Sequence, residues 1–225
     1  LAAAFGPHLK SSLMDFELTP EQQSFSDSVR RFATEHLAEG ALQRAHDPRY
    51  PWSTAQTLAN QGLLGILFSE ADGGMGGSVM DAILAIQEVV LVYPKSADIV
   101  QAGNFGPIRT FAEYATSAQK ARFLPDLLAG RTLISLGMTE PDAGSAVTDL
   151  KTTARREDSH CVIDGTKIFS THSPEAALFL VYVRFGPGVG GIGSVIVERG
   201  TPGFTIGKPS MFMNGEQWSQ LYFEN

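Results

Sequence analysis

Residues 116–138 read TSAQKARFLPDLLAGRTLISLGM, and within this stretch the hydrophobic period switches from helical to extended. Thr116 and Gln119 have the spacing of a capping box, so a helix opens there. Phe123, Leu124, Leu127 and Leu128 then fall on one face, and Gly130 supplies a C-terminal stop. Past Gly130 the run TLISLGM (132–138) is β-branched and apolar, the texture of a strand.

Working outward toward the N-terminus, the pattern stays helical. Thr19-Pro20-Glu21-Gln22 offers an N-cap, a proline at the first helical position and a reciprocal Gln22. Phe25, Val29, Phe32 and His36/Leu37 continue it as one apolar stripe. A second helix is expected around 53–61, stopping at Gly62. A third is expected around 78–92, with Val79, Ile83, Ile86 and Val90 on one face and a break before Pro94. A fourth spans much of 97–114, with Gly103, Gly106 and Pro107 as candidate interruptions.

Toward the C-terminus, LKTTAR (150–155), HCVI (160–163), TKIFST (166–171), LFLVYVRF (178–185), SVIVER (194–199) and QLYFE (220–224) are short strand-like runs. Asp164-Gly165 between HCVI and TKIF predicts a hairpin turn. Helices followed by strands predict an α+β chain: an N-terminal all-α helical bundle over 14–130, then a small antiparallel β-barrel domain over 131–225. Residues 1–13, ahead of Met14, read as an extension or a cloning remnant.

Composition narrows the function classes. The chain has 225 residues and a net charge of −7, and its 17 basic residues form no block, which argues against nucleic-acid binding. No run approaches a membrane span, and the N-terminal stretch lacks a charged leader. A single cysteine, Cys161, excludes an internal disulfide and suits a reducing, cytoplasmic setting; it reads as a packed strand residue. No metal site is expected from the His, Cys, Asp and Glu spacing.

Two motifs fail on context. Gly188-Val189-Gly190-Gly191-Ile192-Gly193 satisfies G-x-G-x-x-G, but a strand follows it, where dinucleotide binding needs a helix N-terminus. Ser145 in Ala143-Gly144-Ser145-Ala146 lacks the second glycine of a nucleophile elbow. His160 and His172 read as strand or turn residues. The remaining candidate is Leu136-Gly137-Met138-Thr139-Glu140-Pro141-Asp142-Ala143-Gly144-Ser145, a strand end running into a polar loop whose small residues let a ligand approach the backbone.

That segment resembles the first signature of the acyl-CoA dehydrogenase family. Further pieces follow in the family's order: MDFELTPEQ (14–22), Glu70-Ala71-Asp72-Gly73-Gly74, Gln119-Lys120 leading to Leu124-Pro125, LKTTA, IDGTKIFST (163–171), Gly200-Thr201-Pro202-Gly203 and Phe223-Glu224-Asn225. The resemblance covers Met14 to Asn225. It implies a helical bundle, a β-barrel and a second helical bundle that this chain does not contain. It also implies FAD as cofactor, with Leu136, Met138 and Thr139 along the isoalloxazine edge. Gly144 and Ser145 would lie near the pyrophosphate, with Ser145 also near the substrate's phosphopantetheine. In the segment Phe169-Ser170-Thr171, Phe169 would pack on the ring system and Thr171 would hydrogen-bond near N5.

The implied reaction is α,β-dehydrogenation of an acyl thioester. Its base is expected from the missing C-terminal domain, so no catalytic base is assigned. The acyl carrier is coenzyme A or an acyl-carrier protein, the electron acceptor is electron-transfer flavoprotein or oxygen, and the assembly a homotetramer or dimer. The sequence departs from the family pattern at Ala146, where an aspartate is usual, and around Asn214, where an arginine is usual. Trp218-Ser219 resembles members that oxidise prolyl groups on carrier proteins. Two other readings stay open: a flavin-dependent monooxygenase on the same fold, and a non-catalytic partner subunit of a heteromeric dehydrogenase.

Overall fold

The computed structural model describes residues 17–158 and 160–224; the expectations for residues 1–13 and Met14 lie outside them. The first half is helical: α1 (Pro20–Leu37), α2 (Ala41–Ala45), α3 (Trp52–Asn60), α4 (Val79–Val90), α5 (Pro94–Ala102), α6 (Pro107–Tyr114) and α7 (Ser117–Leu128). Capping boxes open α1 at Thr19 and Gln22, α4 at Ser78 and Asp81, and α7 at Thr116 and Gln119. The expected fourth helix is two, because Gly106 turns the chain with φ +65° and Pro107 starts α6 afresh. The short α2 had no sequence signal strong enough to be read.

The apolar face that Val79, Ile83, Ile86 and Val90 share is not the face of α4 that packs. The buried residues of α4 are Ala82, Leu84, Ala85, Glu88 and Val89, while Val79, Ile83 and Val90 are exposed and Ile86 is half-buried. Both sets obey helical spacing, so periodicity does not separate them. Small alanines win because they allow close approach of α1, whose Ser26 and Arg30 donate to the buried Glu88 carboxylate at 2.6 and 2.7 Å.

The second half holds β1 (Ile134–Gly137), β2 (Thr153–Glu157), β3 (His160–Thr171), β4 (Leu178–Arg184), β5 (Ile192–Glu198), β6 (Phe204–Ile206), β7 (Ser210–Met211) and β8 (Gln217–Phe223). They form a curled, mostly antiparallel sheet in the order β1-β4-β2-β3-β8-β6, with β5 on β4 and β7 on β8. β1 runs parallel to β4. The helical part and the curled sheet give the α+β architecture expected from the sequence.

The expected hairpin at Asp164-Gly165 does not form. β3 runs straight through, pairing β2 up to Asp164 and β8 from Gly165 onward. Gly165 is needed for close packing: a Cβ there would lie 2.5 Å from Thr152 Oγ1, and φ is +146°. β2 and β3 instead pair as far as Glu157 and His160, and Asp158 beyond β2 has φ +48°. Cys161 is exposed rather than packed, on the outward side of β3 near its start. The glycine-rich run 188–193 ends the β4–β5 connection and enters β5 at Ile192.

Three apolar clusters hold the chain together. One lies among α1, α3, α4 and α5, and one fills the sheet around Phe179, Val181 and Leu221. The third spans both halves, packing Ile108, Phe111, Leu124 and Leu127 against Ile134, Leu178 and Leu180. No described helix is long and apolar enough to cross a membrane.

Candidate functional site

β1 is fastened to β3 by buried hydroxyls. Ser135 Oγ lies 2.7 Å from Ser170 Oγ and donates to the Thr171 carbonyl at 2.6 Å. Ser170 Oγ also donates to the Leu136 carbonyl at 2.9 Å. Ser170 is therefore wholly buried and spent on holding the two strands together, while Leu136 and Thr171 are half-buried.

Beyond β1, the loop is held by an ion pair deep in the fold. Lys167, with no exposed surface, donates to the Glu140 carboxylate at 2.8 Å and to the Met138 carbonyl at 3.2 Å. Glu140 also accepts from the Lys151 and Thr152 backbone N–H groups at 2.5 and 2.9 Å. Burial opposes its ionisation, but these hydrogen bonds outweigh burial and hold its carboxyl below the usual glutamate value. Burial likewise pushes the Lys167 ammonium down, with Glu140 pulling it back. The Ile168 N–H donates to the Thr139 carbonyl at 2.8 Å, and Glu140 and Ala143 exchange backbone bonds at 3.0 and 3.2 Å around Pro141-Asp142. Met138 and Thr139 are thereby fixed, half-buried, against β3.

β3 bulges at this contact. Its register with β8 shifts between Lys167 and Ser170, and Phe169 inside the bulge has φ +55°. A bulky residue in the left-handed region is strained by about 1–3 kcal/mol, and such strain marks positions where the surroundings dictate the backbone. The bulge turns the Phe169 ring outward, 50% exposed, with its centroid 4.6 Å from Trp218 and 6.5 Å from Phe212. The result is an aromatic surface beside Met138 and Thr139.

Gly144 and Ser145 are exposed on the far limb of the loop. A Cβ at Gly144 would meet nothing within 4 Å, so nothing inside this chain requires glycine there. The segment after Ala146 is gathered by Arg184, which donates to the Thr148, Leu150 and Gly188 carbonyls at 2.6, 3.1 and 2.7 Å. Of the residues singled out from sequence, Leu136, Met138, Thr139, Phe169, Ser170 and Thr171 converge at the β1–β3 contact. Lys167 and Glu140 were missed as partners because a buried lysine in a strand has no local signature; only the fold brings them together.

The sequence matches the description "Acyl-CoA dehydrogenase, N-terminal domain" over residues 19–131 and "Acyl-CoA dehydrogenase, middle domain" over residues 135–225. It is 32% identical over 216 residues to the short-chain-specific acyl-CoA dehydrogenase of Clostridium acetobutylicum, covering 94% of this chain and 57% of that protein. Butyryl-CoA dehydrogenase from Megasphaera elsdenii superposes with a TM-score of 0.81 at 33% identity, over 94% of this chain and 57% of that one. PigA with FAD and proline superposes with a TM-score of 0.87 at 26% identity, over the same shares of the two chains. The chain thus spans little more than half the length of these relatives.

Proposed function

The chain belongs to the acyl-CoA dehydrogenase family, and from that premise we propose that it forms the flavin-facing part of an FAD-dependent enzyme that removes hydrogen across the α,β bond of an acyl thioester. The strained bulge at Phe169 carries this reading. It spends folding energy to expose an aromatic ring, which a planar ring system would cover. The group fits the residues present: Phe169 and Trp218 offer a flat apolar face, Met138 and Thr139 a half-buried edge, and Gly144 a stretch of backbone open to close approach.

FAD, when bound, would supply a hydride acceptor at N5. Leu136, Met138 and Thr139 would line the ring edge, with the Thr139 hydroxyl and N–H available to its polar side. Phe169 would pack on the ring, and Thr171 would donate toward N5. Ser170 acts from beneath, through Ser135, to hold Thr171 in place. Gly144 and Ser145 would face the pyrophosphate and the carrier arm of the thioester. No described side chain is assigned the α-proton. Coenzyme A is the first candidate for the carrier. A carrier protein is the second, on the resemblance of Trp218-Ser219 to members that oxidise prolyl groups on carrier proteins.

The test is a visible absorption spectrum of the purified chain after FAD is added and the excess removed. Retained flavin bands, lost in Phe169→Ala and Thr171→Val, are the expected result. A chain that folds but retains no flavin at any FAD concentration overturns the reading.

A further inference from the structure

Two strained residues bracket Ser170 and Thr171. Phe169 at φ +55° precedes them and His172 at φ +58° follows; among the described residues Asp158 is the one other non-glycine with a positive φ. The outward ring accounts for the strain at Phe169. The flavin reading makes no use of His172, whose left-handed backbone marks a second position dictated by its surroundings.

Backbone contacts hold His172 from both sides. Its N–H donates to the Gln217 carbonyl at 2.8 Å, and its carbonyl accepts from the Glu175 and Ala176 N–H groups at 3.0 and 2.9 Å. Arg199 grips the turn so formed, donating to the Ser173 and Ala176 carbonyls at 2.6 and 2.8 Å. The imidazole lies between the Tyr50 ring, met edge-on at 5.3 Å, and Glu216, whose Oε1 is 3.3 Å from Nε2. Glu216 in turn organises the loop between β7 and β8. Its carbonyl accepts the Phe212 N–H at 2.8 Å, and its own N–H donates to Asn214 Oδ1 at 3.1 Å. Phe212 and Trp218, on either side of it in sequence, flank Phe169 with their centroids 5.9 Å apart. His172 holds the Glu216 carboxyl below the ordinary glutamate value, against the effect of burial. Both side chains are less than one-fifth exposed, at 18% and 17%, so solvent screens this contact less than a surface pair. One contact thus ties the loop that supplies two of the three rings to the end of β3 that supplies Thr171.

We propose that His172 and Glu216 are positioning residues, a pair that fixes the aromatic wall of Phe169, Phe212 and Trp218 relative to Thr171. That the wall and Thr171 serve a flavin rests on the reading above; the tether rests on the contacts of His172 and Glu216. Each acts through its neighbours, His172 on Thr171 and Glu216 on Phe212 and Trp218. A planar ligand then meets a wall already set in place, and does not have to order it on binding.

The chain has two tryptophans, Trp52 and Trp218. In a W52F background, acrylamide quenching of the remaining emission in the flavin-free chain reports whether the wall stays packed. E216A and H172N should each raise the quenching constant and weaken FAD at least about threefold, the scale on which contacting residues couple. Asparagine tolerates a left-handed φ, so H172N removes the imidazole without adding backbone strain. The double variant should be no worse than either single one, because both remove the same contact. Unchanged quenching, or losses that add in the double variant, overturn the pair; H172N alone decides if E216A does not fold. Raised quenching with unchanged FAD affinity overturns its service to the flavin. Raised quenching where the parent chain retains no flavin overturns the flavin reading and leaves the tether standing.

Discussion

Lys167 has no exposed surface, and its ammonium meets a Glu140 carboxylate that also accepts two backbone N–H groups. Removing one partner leaves a buried charge unpaired, which costs about 3–5 kcal/mol. Lys167→Met should therefore lower urea-unfolding stability by about that amount, and Lys167→Met with Glu140→Gln should restore part of it. The pH response has a definite sign. Glu140 ionises below its ordinary 4.5 in the fold, so its contribution is present above that value and is lost as pH falls through the folded value. Phe169 behaves differently, because its backbone strain opposes folding. Phe169→Gly should change stability by less than the roughly 3–5 kcal/mol of an ordinary aromatic truncation, since glycine relieves the left-handed φ. Flavin retention should nonetheless fall, measured by absorbance after gel filtration. A large loss of stability with flavin binding intact would assign Phe169 to the core.

At the scale of the element, β3 is the member that links the two parts of the sheet, because it leaves β2 and joins β8 at Gly165. Gly165→Val would force a side chain against Thr152 at a φ of +146°. We expect about 2–4 kcal/mol of destabilisation by chemical denaturation, within the range of overpacking combined with backbone strain. Little change would show that β3 can shift there without cost. Asp-Gly has the composition of a turn, yet this one marks a change of partner, and local sequence does not distinguish the two. The same holds for α4, where Ala82, Ala85, Glu88 and Val89 turn inward and Val79, Ile83 and Val90 outward. Its capping box, by contrast, was fully local.

Across the whole molecule the two halves share a core through Phe111, Leu124, Ile134 and Leu180, and they meet again where Tyr50 packs edge-on against His172, beside a small cavity that Asp98 and Glu216 also line. Asp98 is raised to about 6 in the fold from an ordinary 3.8. A carboxyl with a raised folded value stabilises the fold below its unfolded value, and that contribution is lost as pH rises through the folded one. The thermal midpoint of the chain relative to Asp98→Asn should therefore fall between pH 4 and pH 6 and level off above. Glu216, which His172 and Asn214 hold below its ordinary value, contributes in the opposite sense on the acid side. A constant offset across this range would remove Asp98 from the interface.

The order of elements, the capped helix starts and the loop from Met138 to Ser145 were set by local sequence, because capping boxes and strand composition act within a few residues of one another. Tertiary structure alone decided which face of α4 turns inward, where β3 changes partner and which charges meet. Lys167 finds Glu140 across 27 residues, and Arg30 finds Glu88 across 58. The Phe169 bulge belongs to the same class: its φ follows from the register of β8 against β3, which no property of Phe169 itself encodes. Side chains far apart in sequence are paired by packing, and packing is a property of the folded whole.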